Sequence, residues 1–196
     1  MKVWLAVLGL CAGVASCSPA DRPYTDEIVA WRNMKDDFMR SGESPVAPER
    51  RSNFPALEYF PIDESFRVPA ALKVVRGEDV MEMSTSTGTR RAMRRIGTLA
   101  FTLHGQPLTL TAFTEASDTS LQRLFVPFGD ATNGKETYRA GRYLDLDRTA
   151  TGLYDLDFNR AYHPFCLFNP TYECPIPPRE NQLNVPIRAG ERLPSL

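Results

Sequence analysis

The spacing of apolar positions divides the chain into stretches with different periods. Val3 to Ala15 is an unbroken apolar run. Between Thr25 and Arg40, Ile28, Trp31, Met34 and Phe38 recur at helical spacing and form one apolar stripe. Thr25 is a suitable N-cap, Asp26 and Glu27 suit the positive end of the helix dipole, and Gly42 follows Arg40 as a stop. The stripe predicts packing on the parent domain, with a partner-binding face as the alternative. Trp31, its largest member, is expected to be buried.

Ser44 to Pro69 carries Pro45, Pro48, Pro55, Pro61 and Pro69. Proline lacks an amide donor and disfavours helix, so this stretch reads as extended chain wrapped on the domain. Phe54, Leu57, Tyr59, Phe60 and Phe66 are the residues expected to press inward.

From Ala71 onward short strand patterns alternate with turn signals. Leu72–Arg76 and Val80–Ser84 are the first two. Leu99, Phe101 and Leu103 alternate with Ala100 and Thr102, and Leu108 and Leu110 with Thr109 and Thr111, across His104-Gly105-Gln106-Pro107. Period two on both sides of a turn predicts an antiparallel hairpin, Arg94–Leu103 with Leu108–Phe113. Leu121–Phe128 is a further strand, Arg142–Leu146 and Leu153–Phe158 read as a second hairpin through Gly152, and Leu183–Ile187 is the last strand. Eight or more strands and one helix predict a mainly β fold, an antiparallel sandwich or partly open barrel with one N-terminal helix. Residues 25–196 read as a single domain.

The first apolar run follows a single Lys2 and ends in small residues, the layout of a secretory signal over residues 1–16. Thirteen residues are too few to span a hydrocarbon core of about 30 Å as a helix. Val14-Ala15-Ser16-Cys17 resembles the bacterial lipobox, in which the cysteine receives a diacylglycerol and becomes the mature N-terminus. An ordinary signal cleaved near Ala15 is the alternative. The expectation is a lipoprotein anchored at Cys17, tethered through residues 17–24, in the cell envelope. Ser18 is not the aspartate of an inner-membrane retention signal, so in a Gram-negative cell the outer membrane, facing the periplasm, is the expected site.

Once Lys2 leaves with the signal, 22 basic and 24 acidic residues remain, a formal charge of −2. No nucleic-acid partner is expected from that balance. Two cysteines remain besides Cys17, namely Cys166 and Cys174. In an oxidising compartment a disulfide between them is the first reading, constraining the unfolded chain by about 2–3 kcal/mol, with two buried thiols as the alternative.

The C-terminal half carries long motifs. Phe128-Gly129-Asp130-Ala131-Thr132-Asn133-Gly134, Thr137-Tyr138 and Gly141-Arg142-Tyr143-Leu144-Asp145-Leu146 are followed by Leu156-Asp157-Phe158-Asn159-Arg160-Ala161-Tyr162. Pro164, Cys166, Cys174-Pro175, Pro177-Pro178, Glu180-Asn181, Leu183 and Ala189-Gly190-Glu191 complete the set. In these the chain resembles the bacterial and archaeal family called domain of unknown function 1684, over about Trp31 to Glu191. The resemblance implies no particular activity. His163 departs from it, since the family more often has asparagine after the tyrosine.

Asp130, Thr132, Asn133 and Gly134 read as a tight polar turn, with a ligand or cation contact as the alternative. Arg142 among Asp145, Asp155 and Asp157 reads as a structural ion pair or as a bidentate clamp for a carboxylate or phosphate. Alternation puts Tyr143 and Asp145 on one face and Arg142 and Leu144 on the other. His163, Cys166 and Cys174 fall short of the four ligands a structural zinc needs, so neither metal nor cofactor is expected. Arg90, Arg91, Arg94 and Arg95 read as a solvated strand edge, or as a patch for anionic head groups. Walker, dinucleotide-binding, nucleophile-elbow and zincin motifs are absent from the sequence, and it holds only His104 and His163 as imidazoles.

The loop from Asp157 to Asn181, with Pro164, Pro170, Pro175, Pro177 and Pro178, is a stiff excursion of the kind that carries function. It is expected to wall the main cavity beside Arg142 and Tyr143. The predicted ligand-binding set is Arg142, Tyr143, Asp157, Asn159, Tyr162 and His163. The expected function is a lipid-tethered domain that binds a small ligand or an envelope partner. A periplasmic enzyme, perhaps a hydrolase, using Arg142, Asp157 or His163 is the alternative; no catalytic residue is assigned.

Overall fold

A computed structural model describes residues 23–77 and 79–194. The predicted signal segment, Cys17 and nearly all of the tether fall before the described residues. No helix among the described residues is long and apolar enough to cross a membrane.

Helix α1 runs Tyr24–Arg40, one residue longer than expected, and is capped by Pro23 rather than Thr25. The Pro23 carbonyl accepts from the amides of Asp26 and Glu27. Ile28 and Met39 are the buried members of its inner face, while Met34 is 64 % exposed. Trp31 is only half-buried, correcting the expectation of a core tryptophan. The true inner face, through Ile28, Arg32, Lys35 and Met39, includes two long cations whose stems supply apolar cover.

The proline-rich stretch does wrap the domain, and it contains two short helical turns, α2, Pro48–Arg51, and a 3-10 turn, Glu64–Phe66. It is held to α1 by the Leu57 amide on Asp36 Oδ1 (2.8 Å), Arg40 on the Phe54 carbonyl and Arg32 on the Phe60 carbonyl. Phe60 and Phe66 are buried; Phe54, Leu57 and Tyr59 are half-buried.

Among the described residues seven strands follow: β1 Arg67–Val74, β2 Val80–Ser84, β3 Arg90–Leu103, β4 Gln106–Glu115, β5 Arg123–Phe128, β6 Arg142–Asp147 and β7 Leu153–Asp157. They form one antiparallel sheet in the order β6-β5-β4-β3-β1-β7, with β2 on β3, curled into a nearly closed barrel. The β3–β4 hairpin is as predicted, with Leu99 opposite Leu110 and Phe101 opposite Leu108. Its turn puts His104 and Gly105 at φ of 47° and 80°, the left-handed region that suits glycine and strains most other residues.

Two expectations need correction. β6 and β7 are not a hairpin: β6 pairs with β5 and β7 with β1, so the two strands are the ends of the sheet and flank its unpaired seam. Leu183–Ile187 is not a strand. It is irregular chain whose Leu183 and Ile187 enter the barrel interior, tied to the end of β5 and the turn after it by the Leu183 amide on the Gly129 carbonyl (2.8 Å), the Ala131 amide on the Val185 carbonyl (3.2 Å) and the Ile187 amide on Asp130 (3.2 Å).

Alternation sets two apolar faces. The interior holds Leu99, Leu110, Leu124, Val126, Leu144 and Leu156, closed at one end by Phe128, Phe158 and Ile187. On the outer face Met93, Phe113, Phe125 and Tyr143 form a stripe from β3 to β6, with Phe113 directly opposite Phe125. A register shift between Arg95 and Gly97 turns Met93 to the outside while Leu99 points in. An apolar outer face needs a cover, and the loop after β7 supplies it.

Candidate functional site

The covering loop is fixed at both ends. Tyr162 exchanges two backbone hydrogen bonds with Tyr143 on β6, and the Ile176 amide donates to the Ser84 carbonyl of β2. Between them, the Ser86 amide donates to the Cys174 carbonyl, the Cys174 amide to Ser86 Oγ (3.0 Å), and Thr89 Oγ1 to Glu173 (2.6 Å).

Under this loop lies a cavity of about 370 Å³. Its floor is the outer stripe, Met93, Phe125 and Tyr143; its walls are Tyr162, Pro164, Phe165, Tyr172, Cys174 and Pro175. The rings stand edge to face: Phe125 on Tyr143 at 4.7 Å, Tyr143 on Tyr162 at 5.8 Å and Phe165 on Tyr172 at 5.4 Å. The rim is charged. Arg91 bridges Glu115 (3.2 Å) and the Glu173 carbonyl (3.0 Å). The Tyr143 hydroxyl donates to the Pro175 carbonyl and the Tyr162 hydroxyl to Asp145 (2.8 Å). The Tyr143 and Tyr162 hydroxyls and the Arg91 guanidinium are thus already paired, and the wall is mostly apolar.

Of the six residues expected to bind ligand, Tyr143 and Tyr162 line this cavity and the other four do not. Arg142 points to the opposite face, as alternation required, and its side chain is fully buried. It donates to Asp130 Oδ2 (2.9 Å) and to the carbonyls of Ile187 (2.6 Å), Ala189 and Glu191 (3.1 Å). This is the ion-pair arrangement. Asp130 in turn caps the turn after β5, accepting from the Thr132 amide, so that turn is structural as well.

Asp157 accepts from the Asn159 amide and the Tyr24 hydroxyl, both at 2.9 Å. Asn159 donates to the Asp63 carbonyl (2.8 Å), and its own carbonyl accepts from the Asp63 amide (3.1 Å). The two join α1 and the β1 approach to the end of β7. His163 is buried; its Nε2 accepts from the Tyr138 amide (3.2 Å) and its Nδ1 lies 3.4 Å from Glu191 Oε2. Burial, with Arg142 and Lys35 nearby, holds its pKa down at about 3, so it is neutral at pH 7.

The predicted disulfide is not formed: Cys166 and Cys174 are both free thiols. They touch through hydrogen bonds, with the Cys166 amide on Cys174 Sγ at 3.1 Å. The Cys174 thiol and the Ser86 and Tyr138 hydroxyls stabilise a Cys166 thiolate, bringing it to about 6, while Cys174 is pushed up by its partner and by burial.

The arginine cluster is a strand edge only in part: Arg94 and Arg95 lie where β3 pairs with β4 as well, whereas Arg90 and Arg91 pair with β2 alone. Arg91 rims the cavity, Arg94 donates to the Ala116 carbonyl (2.9 Å), and Arg95 bridges Asp79 and Glu180. Arg91, Met93, Glu115 and Phe125 were missed as cavity residues. Their outward phase on β3, β4 and β5 was available as a signal, but which outer face the loop would cover was not.

Other hollows flank the site. One of about 290 Å³, lined by Trp31, Lys35 and Arg160, shares Tyr162 and Phe165 with the aromatic cavity. A larger one, about 560 Å³, lies away from the loop along β1, β3 and β4, so the expectation that the loop walls the largest hollow is not met. Another, about 370 Å³, follows the β6–β7 seam past Asp145, Asp147, Asp155 and Asp157. Its carboxylates are answered by Arg67 on Asp155 (2.6 Å) and Arg160 on Asp157 (3.3 Å).

The model of a family described as "Protein of unknown function (DUF1684)" matches residues 52–192. The chain is 38% identical to an uncharacterized protein of Haloarcula marismortui solved in solution by NMR, with a TM-score of 0.68, covering 87% of this chain and 94% of that one. A search of curated proteins finds no match.

Proposed function

This chain belongs to the DUF1684 family, and from that premise we propose that it is a binding domain of the cell envelope whose ligand enters the aromatic cavity under the loop. The observation that carries the reading is the composition of the cavity. Five aromatic rings line it, Phe125, Tyr143, Tyr162, Phe165 and Tyr172, with Arg91, Glu115 and Glu173 at the rim. Stacked or edge-on rings favour a flat apolar body, and a charged rim favours one polar end. The residues named for the catalytic alternative do not line the cavity: the neutral His163 is buried away from it, Arg142 points to the barrel interior, and Asp157 is engaged at the seam. The lipobox-like Val14 to Cys17 supports attachment at Cys17, with the domain held at the outer membrane of a Gram-negative cell.

Anilinonaphthalene sulfonate, an aromatic anion, is a suitable probe. Its fluorescence titration against wild type and Tyr172→Ala should show binding about tenfold weaker in the variant, the worth of one aromatic wall. Equal binding by a folded variant removes the cavity as the site. Labelling with a palmitate analogue tests the anchor: wild type should incorporate it and Cys17→Ala should not. An unlabelled wild type ends the lipoprotein reading.

A further inference from the structure

Cys174 and Met93 line the cavity, Cys166 touches Cys174 without lining it, and nothing in the binding reading uses these three sulfurs. We propose that Cys166, Cys174 and Met93 form a site for a soft monovalent metal cation of the Cu(I) class.

The loop delivers both thiols in a fixed arrangement. The Cys166 amide holds Cys174 Sγ at 3.1 Å, and the Cys174 backbone is pinned to Ser86 on both its amide and carbonyl sides. Sulfurs in hydrogen-bond contact need only a small separation to accept one ion between them. Met93 comes from the sheet side. It lines the same cavity as Cys174, and its side chain is 2% exposed, in a cluster with Met83 and, beside it, Met81. The cavity therefore has sulfur on two walls.

The donor chemistry selects the ion. Thiolate and thioether ligands favour Cu(I), whereas zinc in a closed site wants four ligands and hard cations want oxygen. Among the described residues, no group of three or more His, Cys, Asp or Glu side chains is placed to hold a metal. The nearby carboxylates, Glu115 and Glu173, are paired with Arg91. A low-coordinate sulfur site is what remains. Binding leaves both sulfurs as thiolates, releasing to solvent whatever protons they still carry, and forms two metal–sulfur bonds, with Met93 sulfur as a neutral third donor; no electron is transferred. The two thiolates and one cation carry a net charge of −1, next to which the Arg91 guanidinium contacts the Glu173 carbonyl at 3.0 Å.

The test uses the full chain in a Cys11→Ser/Cys17→Ser background, so that Cys166 and Cys174 are the only thiols. Anaerobic titration with Cu(I) against bicinchoninate should show one equivalent withdrawn from the chelator. Cys166→Ser and Cys174→Ser should each lower affinity at least about tenfold, and Met93→Leu several-fold with the stoichiometry kept. Failure of the background protein to withdraw Cu(I), or full retention by the Cys166→Ser/Cys174→Ser double variant, overturns the proposal. Should the serine variants not fold, Ag(I) decides on the background protein itself. One equivalent must shield both thiols from dithiobis-nitrobenzoate, and shielding of one or none overturns the site. Neither readout involves the aromatic ligand, so loss of the cavity reading leaves this result intact.

Discussion

Replacing Arg142 with methionine keeps most of the buried volume and removes every donor. In the folded chain the guanidinium is fully buried and serves four oxygens: Asp130 Oδ2 and the carbonyls of Ile187, Ala189 and Glu191. Removing one partner of a buried ion pair costs about 3–5 kcal/mol, because the remaining charge is left without compensation. The three carbonyls lose their donor too, at up to about 1–3 kcal/mol each where water cannot replace it. The full sum would approach the whole stability of a domain, about 5–15 kcal/mol, so about 4 kcal/mol is the lower bound. With a urea dependence of about 2 kcal/mol per molar, Arg142→Met should lower the unfolding midpoint by about 2 M. The melting temperature should fall by about 8–16 °C. Asp130→Asn should be milder, since the amide oxygen still accepts from Arg142. A midpoint for Arg142→Met within about 0.5 M of wild type would refute the reasoning and return Arg142 to the list of ligand clamps.

His163 should make stability depend on pH. Its imidazole titrates near 6.5 when unfolded and at about 3 when folded, so between those values only the unfolded chain takes up the proton. Stability therefore falls as pH drops through that window, by about 2 kcal/mol from pH 7 to pH 5. The carboxyl of Glu191, raised by burial, acts in the opposite direction, so the measurement is the difference between wild type and His163→Asn. Equal pH slopes for the two proteins in urea unfolding would mean that His163 is not held neutral. Gly190 sits at φ +77° with the Ala161 carbonyl 2.5 Å from where a Cβ would be; Gly190→Ala should cost more than about 2 kcal/mol, and an unchanged melting temperature would contradict the packing there. Trp31→Ala should cost less than the 3–5 kcal/mol typical of a core aromatic, about 1–2 kcal/mol, because the ring is half-buried against Tyr59 at 6.3 Å. A loss of about 4 kcal/mol in a melting experiment would restore Trp31 to the core.

Local pattern by itself determined a good deal. Period-two alternation fixed the β3–β4 hairpin with its glycine turn, and helical spacing fixed α1, because both signals depend on neighbours a few residues apart. The motifs from Phe128 to Glu191 placed the chain in its family. Alternation also separated Tyr143 from Arg142, although only the fold showed that one meets a cavity and the other the barrel interior. What the sequence left open depended on long-range pairing. The short link between β6 and β7 looks like a hairpin turn, yet β5 and β1 compete for those strands and win, since a curled sheet brings its two ends together at the seam. Leu183 to Ile187 has the composition of a strand, but it forms no ladder with any of the seven strands, and its apolar residues fill the barrel end instead. The outward residues Arg91, Met93 and Phe125 carry no local mark of a site. They became one when the loop from Tyr162 to Pro175 docked over the outer face, a contact between segments far apart in the chain whose register only the tertiary structure sets.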